Sequence, residues 1–282
     1  MVGAFAFCTL YRAFLAGNLA ARRGYLEFAG IIRIHEMGRQ SGTLSTAPSI
    51  EQRVRELDWP ELGRSLVNYG FAHTPRILSA SECEEQIRLY SDDRLFRSRV
   101  EMARFRFGEG DYKYFAAPLP ATVQELRTAF YPHVAAIANR WMEELGDRQR
   151  FPDQLQEFLA LCHHKGQKKP TPLLLHYEAG DYNCLHQDLY GEVAFPLQLT
   201  CFLSRPGEDY TGGEFLLVEQ RPRAQSKGEV ITPGQGEIVI FTTRYRPVRG
   251  SKGYYRVNVR HGVARVRSGV RYTLGIIFHD AK

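Results

Sequence analysis

The chain has 282 residues, of which 44% are apolar and 24% charged, and its formal net charge is +6 with a pI near 9.1. These values are typical of a globular protein. No apolar run approaches the roughly 18 to 20 residues of a membrane helix, so the sequence predicts no membrane span. The basic balance is compatible with an anionic substrate, but a solvated basic surface is the simpler explanation.

The first 34 residues are apolar and contain a single acidic residue, Glu27. They lack a positive region ahead of the apolar run, so they make a poor secretory signal. Either they are another targeting segment, or they precede the true start at Met37. We predict that residues 1–48 form a poorly packed extension and linker. Residues 49–282 are predicted to form one domain, with helical support over 49–170 and a catalytic core over 171–282.

Cysteine usage indicates a reducing compartment. The five cysteines are odd in number and include no C-x-x-C pair, which argues against a disulfide framework or a zinc site. We therefore expect a cytoplasmic protein. The cysteines are Cys8, Cys83, Cys162, Cys184 and Cys201.

The N-terminal half of the predicted domain contains several helix signals. Apolar spacing predicts a helix over residues 50–66, interrupted near Pro60. Residues 70–78 are a candidate first strand, and Ser79 with Glu82 forms a capping box that begins a helix reaching about Tyr90.

Residues 96–115 combine aromatic alternation with basic charge. Phe105, Phe107, Tyr112 and Tyr114 predict strands around a turn at residues 108–110. Five arginines lie between positions 94 and 106. The segment is either a substrate-facing flap or a solvated edge ribbon, and the sequence favours neither.

Two further helices are predicted before the β-rich region. An apolar stripe from Val123 to Leu145 indicates a long helix that begins near Pro120. Pro132 is expected to kink or divide this helix. A second helix is predicted over residues 153–164.

From residue 172 onward the chain changes to short apolar runs separated by Gly- and Pro-rich turns. Many short strands with such turns indicate a β-sandwich or jelly roll. The predicted strands cover residues 173–177, 195–203, 213–218, 237–243, 255–259 and 272–278.

His186-Gln187-Asp188 is an H-x-D triplet at the end of the LLLHYEAGDYNCLHQD stretch. Residues two apart on a strand share one face, so the imidazole and the carboxylate are predicted to point the same way. With one more histidine they make the 2-His-1-carboxylate set of non-haem Fe(II) oxygenases. His261 is the candidate third metal ligand.

Ten positions after His261, Arg271 opens the last predicted strand, and Thr273 shares its face. A guanidinium binds a carboxylate through two parallel hydrogen bonds, and the hydroxyl adds another donor. This pair suits the distal carboxylate of 2-oxoglutarate. Tyr177 is a candidate phenolic donor to the same group.

In this order, the motifs resemble those of the Fe(II)/2-oxoglutarate-dependent dioxygenases, and most of all the prolyl-hydroxylase-type branch. The whole chain also resembles an uncharacterised bacterial family within that superfamily. The motifs are Tyr177-x-x-Gly180, His186-x-Asp188, Gly212-Gly213-Glu214, Gly236 before a strand ending in Phe241, His261, and Arg271-x-Thr273.

The resemblance implies an α+β fold, in which a double-stranded β-helix (a jelly-roll or cupin-like core) is flanked by N-terminal helices. It implies Fe(II) as the metal and 2-oxoglutarate and O2 as co-substrates, with ascorbate as a candidate reductant. The implied reaction hydroxylates a C–H bond while 2-oxoglutarate is converted to succinate and CO2.

Three functions stay open from the sequence. The first is hydroxylation of a protein side chain or a small molecule. The second is demethylation or hydroxylation of a nucleic-acid base, which is less favoured because base-repair demethylases carry a second arginine six residues after the first, where this chain has Ile277. The third is a non-catalytic, metal-binding jelly roll. Substrate and oligomeric state are not predicted.

Several other residues near the motifs carry weaker expectations. Ten basic residues around the TGGEF strand and His261 would favour an anionic substrate if they lined the site, and would otherwise form an exposed rim. His176 and His279 are expected to support packing or the metal ligands. Cys184 is expected either near the metal or in a packed core. The basic residues are Arg221, Arg223, Arg244, Arg246, Arg249, Lys252, Arg256, Arg260, Arg265 and Arg267.

Overall fold

A computed structural model describes residues 48–188 and 191–282 of the chain. The predicted extension, apart from Pro48, and the alternative start at Met37 lie outside the described residues. No helix within the described part is long and apolar enough to span a membrane.

Five α-helices precede or support the sheets. Capping boxes at Ser49 and Ser79 begin the first and third of them. The predicted helix over 50–66 is two helices, because Asp58 starts a second one by accepting a hydrogen bond from the Glu61 amide, with Pro60 in its first turn. The helices are α1 Ile50–Arg55, α2 Trp59–Tyr69, α3 Ala80–Leu89, α4 Ala121–Glu144 and α5 Leu155–His164.

The long helix α4 is not divided at Pro132, contrary to one of the two expected outcomes. Phe130, Tyr131, Val134 and Ala135 on either side of the proline are fully buried. Packing of these side chains compensates for the hydrogen bond that the proline cannot donate.

Fifteen strands are described, and most of them belong to two antiparallel sheets. They are β1 Phe71–His73, β2 Phe96–Glu101, β3 Gly108–Glu109, β4 Asp111–Phe115, β5 Leu173–Tyr177, β6 Tyr182–His186, β7 Leu197–Phe202, β8 Tyr210–Gly212, β9 Phe215–Gln220, β10 Lys227–Ile231, β11 Ile238–Thr242, β12 Tyr245–Gly250, β13 Gly253–Val263, β14 Val266–Gly269 and β15 Arg271–Ile277.

The larger sheet has the order β1-β11-β7-β15-β5-β4-β2, and the smaller one β10-β9-β13-β6-β3, with β12 beside β13. The predicted α+β fold with a double-stranded β-helix core is confirmed by this pair of sheets and the helices before them. Strands β1, β2 and β4 of the larger sheet come from residues 49–170, so that region supplies both edge strands of the sheet, and β4 beside one of them, as well as helices.

The two faces of the larger sheet have different roles. Leu274 and Ile276 of β15 belong to the core that packs against the helices, together with Phe130 of α4. Arg271 and Thr273 alternate with them and line an internal cavity instead. The twofold periodicity of the strand thus separates structural from cavity-facing positions.

The strands predicted around a turn at residues 108–110 differ from those observed, because Gly108–Glu109 are themselves strand β3 and Met102–Phe105 form a short 3-10 helix. Strand β2 pairs with β4 at the edge of the larger sheet, whereas β3 pairs with β6 in the smaller one. Gly108 has φ +137°, and a Cβ there would approach the Tyr182 carbonyl oxygen to 2.2 Å. This close approach requires a glycine and draws the chain across to the smaller sheet.

Candidate metal centre and its cavity

His186 and His261 are brought together by strand pairing. They are directly opposed in the register of β6 and β13, and their ring centroids are 4.2 Å apart. Opposed residues on neighbouring strands have closely spaced side chains. A single cross-strand contact thereby brings together two residues that are 75 positions apart in the sequence (261 − 186).

Asp188 joins this pair from just beyond the end of β6, which finishes at His186. The expectation that one regular strand carries both residues is therefore wrong at Asp188. Its amide donates to the Thr243 carbonyl oxygen at 3.2 Å, and the Gln198 amide donates to its Oδ2 at 2.9 Å. These bonds set the carboxylate beside the imidazoles, with Oδ1 3.6 Å from His186 Nε2 and Oδ2 3.1 Å from His261 Nε2.

Hydrogen bonding selects the nitrogen that His186 presents. Its Nδ1 lies 2.8 Å from the Cys184 carbonyl oxygen, which can only accept, so Nδ1 carries the proton and Nε2 keeps its lone pair. Burial, followed by the neighbouring His261, lowers the pKa of His186. Both effects favour the neutral imidazole that a metal requires.

The carboxylate is held in its charged form. Burial alone would raise the pKa of Asp188, but His261, His186 and the Gln198 amide together hold it well below its ordinary value. A carboxylate is a hard oxygen donor and an imidazole is a borderline nitrogen donor. One buried carboxylate beside two imidazoles therefore suits a first-row divalent metal.

The spacing of the donor atoms also suits such a metal. One donor atom from each of His186, Asp188 and His261 lies within 4.8 Å of the others. Ligands about 2.1 Å from a metal and at right angles to one another lie roughly 3 Å apart. The separations around Asp188 are close to this value, so the three side chains can hold a divalent cation with little rearrangement.

Arg271 is buried in the same cavity, with 1% of its surface exposed. Its Nη1 donates to Thr273 Oγ1 at 3.5 Å, while Nε and Nη2 have no hydrogen-bond partner. No acidic residue in the described ranges forms an ion pair with Arg271. A buried cation with unused donors indicates a site for an anion.

Three aromatic rings surround the guanidinium. Its Cζ lies 5.4 Å from the ring centre of Tyr177, 5.3 Å from that of Phe202 and 5.8 Å from that of Tyr210. Burial raises the pKa of Tyr177 to about 12, so its hydroxyl stays protonated. That hydroxyl accepts from the Asn183 side chain at 3.3 Å, which leaves its proton to donate elsewhere.

All six predicted site residues line one cavity of about 340 Å³ between the two sheets. The volume is within the range of small-molecule sites. His186, Asp188 and His261 converge, and Arg271, Thr273 and Tyr177 share the cavity with them.

Sequence reasoning missed two polar residues of the site, Gln198 and Asn183. Gln198 is a polar residue at a buried position of the apolar strand β7, and that interruption was the available signal. Asn183 lies on β6 among half-exposed positions, where a single polar side chain does not distinguish a site residue from a surface residue.

The arginine-rich stretch around His261 does not line the cavity, which is bordered by only two described arginines, Arg106 and Arg271. Arg246 is buried and bonded to Glu219, and Arg256 pairs with Asp147. Support for an anionic substrate from these residues is therefore absent. Arg221 likewise pairs with Glu219.

The remaining expectations near the motifs have mixed outcomes. Cys184 lines the cavity and is exposed, so the packed-core alternative is wrong. His176 bonds to Asp111 at 3.0 Å, and the buried Nδ1 of His279 accepts from the Phe195 amide at 3.1 Å, so these two histidines support packing.

Fold and donor set together define the class of this protein, which is an oxidoreductase of the Fe(II)/2-oxoglutarate-dependent dioxygenases. Residues 110–281 match the model of a family described as an oxygenase catalysing oxidative methylation of damaged DNA. Because the match covers well over half of the chain, the protein belongs to this oxygenase family, and the superfamily expected from the motifs is confirmed.

Similar proteins include two curated chains of Mycobacterium tuberculosis, from strains CDC 1551 and H37Rv, both described as uncharacterised. Each is 53% identical over 167 residues, which span 59% of this chain and 72% of the relative. Among solved structures, a Burkholderia pseudomallei oxidoreductase of the 2OG-Fe(II) oxygenase family has TM-score 0.48 and 15% identity, covering 79% of this chain and 92% of its own. A Pseudomonas putida prolyl-4-hydroxylase has TM-score 0.44 and 14% identity, covering 77% and 96%.

Proposed function

We propose that His186, Asp188 and His261 hold Fe(II), and that Arg271, Thr273 and Tyr177 bind the distal carboxylate of 2-oxoglutarate. The observation that carries the proposal is the occurrence of both sets in one cavity: three convergent metal donors and a buried guanidinium with two unused donor atoms. A metal-binding protein without catalysis has no use for that second feature.

Bound Fe(II) supplies the redox chemistry that couples oxidative decarboxylation of 2-oxoglutarate by O2 to oxidation of a substrate C–H bond. The protein contributes position and charge. Arg271 neutralises the co-substrate carboxylate away from water, and Gln198 keeps Asp188 oriented. Three protein ligands leave coordination positions for small molecules.

We propose a damaged base in DNA as the substrate, oxidised at a C–H bond of an added alkyl group. The support is the description of the family to which the chain belongs, which names damaged DNA. This choice places the nucleic-acid alternative ahead of a protein side chain or small molecule. Ascorbate stays a proposal as an accessory reductant.

The test measures succinate released from 2-oxoglutarate, with and without Fe(II), O2 and a methyl-damaged single-stranded oligonucleotide. The wild-type protein is expected to release succinate only with metal and O2, and faster with damaged than with undamaged DNA. His186→Ala is expected to abolish release, while the exposed His164→Ala serves as the matched control and retains it.

Succinate release that persists in His186→Ala would rule out the proposed metal centre. Stimulation by a peptide or metabolite and not by damaged DNA would leave the dioxygenase chemistry in place and overturn the substrate.

A further inference from the structure

Residues 102–108, which connect β2 to β3 and include the first residue of β3, are called the mouth segment. It is anchored at both ends. Met102 is fully buried and its amide donates to the Gly110 carbonyl oxygen at 3.0 Å. At the other end Gly108 pairs with Asn183 of β6, and the Phe107 carbonyl oxygen accepts from the Cys184 amide at 2.8 Å. The residues between these anchors therefore have a defined position.

Two aromatic rings of the mouth segment face solvent. Phe105 is 57% exposed and Phe107 47% exposed, yet the rings stack on each other at 5.5 Å with an interplanar angle of 21°. Arg106 between them ends the short 3-10 helix Met102–Phe105 in a left-handed conformation, with φ +60°. Exposed, stacked aromatic rings beside a cavity point to a binding role rather than to packing.

The mouth segment borders the proposed catalytic cavity. Arg106 and Phe107 line that cavity together with Leu185 and His186. Leu185 is also 40% exposed, so apolar surface continues from the stacked rings to the metal donors. Arg106 is exposed and forms no ion pair within the described ranges, whereas Arg104 is bonded to Glu101 at 2.7 Å.

We propose that Phe105, Arg106 and Phe107 form a stacking platform for single-stranded DNA, which holds a base next to the one oxidised in the cavity. The inference rests on the proposed function, because the platform serves a DNA substrate. Aromatic faces accept any base by stacking, and an unpaired guanidinium among them binds phosphate. Stacked rings and a free cation match the bases and phosphates of a single strand more directly than they match an extended peptide, which is recognised through main-chain bonds and side-chain pockets.

Binding of a labelled single-stranded DNA of roughly 12 nucleotides to the full chain, followed by fluorescence anisotropy, tests the platform. Phe105→Ala is expected to weaken binding about 5- to 150-fold, the usual range for loss of one stacked base. Phe105→Trp is expected to retain binding. Tyr69→Ala, which removes an aromatic ring of 54% exposure on α2, is the matched control and is expected to bind like the wild type.

The charge of Arg106 has a separate readout. Arg106→Gln is expected to reduce the slope of log affinity against log salt by about 0.7, the contribution of one phosphate contact on a single strand. The melting temperature of each variant is measured as a check on folding. It is expected to equal that of the wild type, because the substituted side chains are exposed.

Failure of the platform and failure of the proposed function give different results. If the wild type converts 2-oxoglutarate and binds DNA, but Phe105→Ala and Phe107→Ala bind it with unchanged affinity, the platform is wrong and the function stands. If polyglutamate of matched charge competes as well as the oligonucleotide, stacking plays no part and the platform is also wrong. Absence of 2-oxoglutarate conversion in the wild type overturns the function itself.

Discussion

Arg271 lies directly opposite Tyr177 in the antiparallel pair of β15 and β5, with its guanidinium carbon 5.4 Å from the centre of the tyrosine ring. This cross-strand contact fixes the planar cation in a buried wall, where its Nε and Nη2 have no partner in the described protein. If the proposed co-substrate binds here, its carboxylate meets donors that are already in place, which is the condition for tight binding at low reorganisation cost.

Arg271→Lys is expected to raise the KM for 2-oxoglutarate roughly 10- to 150-fold, because lysine keeps the charge but loses the two parallel hydrogen bonds. The measurement is the dependence of succinate release on 2-oxoglutarate concentration. Tyr177→Phe keeps the ring and removes only one hydroxyl, so its effect is expected to stay within about tenfold. An unchanged KM in Arg271→Lys would remove Arg271 from the co-substrate site.

Gln198→Leu is expected to weaken metal binding about 10- to 100-fold, as is usual for loss of a partner that orients a ligand. The reason is the 2.9 Å hydrogen bond from its amide to Asp188 Oδ2. Titration with Co(II), followed by its visible absorption, measures affinity without catalysis. Gln86→Leu removes another buried glutamine on α3, and is the control that should leave metal affinity unchanged.

Gly213 supports the position of Arg271. A Cβ at Gly213 would come within 2.9 Å of Arg271 Cδ and 3.0 Å of Val266 Cγ2, and the residue has φ +61°. Gly213→Ala is therefore expected both to destabilise the protein and to raise the KM for 2-oxoglutarate.

Gly146 provides the matched control for that substitution, because it has φ +65° and a Cβ added there would meet no described atom within 4 Å. Gly146→Ala is expected to cost about 1 to 2 kcal/mol from the left-handed backbone alone, with an unchanged KM. Equal KM values for the two variants would contradict a positioning role for Gly213.

Acid is expected to destabilise the fold through His279. Burial, with the nearby Arg127 as a further cause, lowers the pKa of His279 to about 4, and its Nδ1 must stay unprotonated to accept from the Phe195 amide. The unfolded chain takes up a proton below about pH 6.5, so stability falls as the pH drops from there towards 4, by about 3 kcal/mol in all.

Urea midpoints at about pH 7 and about pH 5 test this linkage, with an expected loss of roughly 2 kcal/mol at the lower pH. His279→Gln keeps an acceptor for the Phe195 amide but does not titrate, and is expected to lose that part of the pH dependence. The same pH dependence in wild type and variant would assign acid sensitivity to another group.

The cavity-facing positions of Arg271 and Thr273 were predictable from the sequence because strands encode sidedness in a simple way. Both residues of the Arg271-x-Thr273 pair line the cavity, as their spacing predicts. Asp188 of the H-x-D triplet also lines it, but it lies beyond the end of β6 and is positioned by its bonds to Thr243 and Gln198. For β5 the predicted residues coincide with the observed strand, since apolar runs between turns leave little freedom in its bounds.

Contacts between distant segments were not predictable in the same way. The bond of Gln198 to Asp188 and the pairing of β3 with β6 depend on how two strands approach, which no local pattern records. The burial of Arg246 beside Glu219 is a similar case, because an arginine in a basic stretch looks the same whether it is solvated or ion-paired within the protein.

The three proposed iron donors are anchored to different layers. His186 and His261 belong to β6 and β13 of the smaller sheet, while Asp188 is tied to the larger one through Gln198 of β7 and the Thr243 carbonyl oxygen after β11. A cation bound by all three would therefore link the smaller sheet to the larger one. Removal of the metal by a chelator should then weaken the packing of the two sheets on each other. The melting temperature of the protein, and not only its turnover, should therefore depend on metal occupancy.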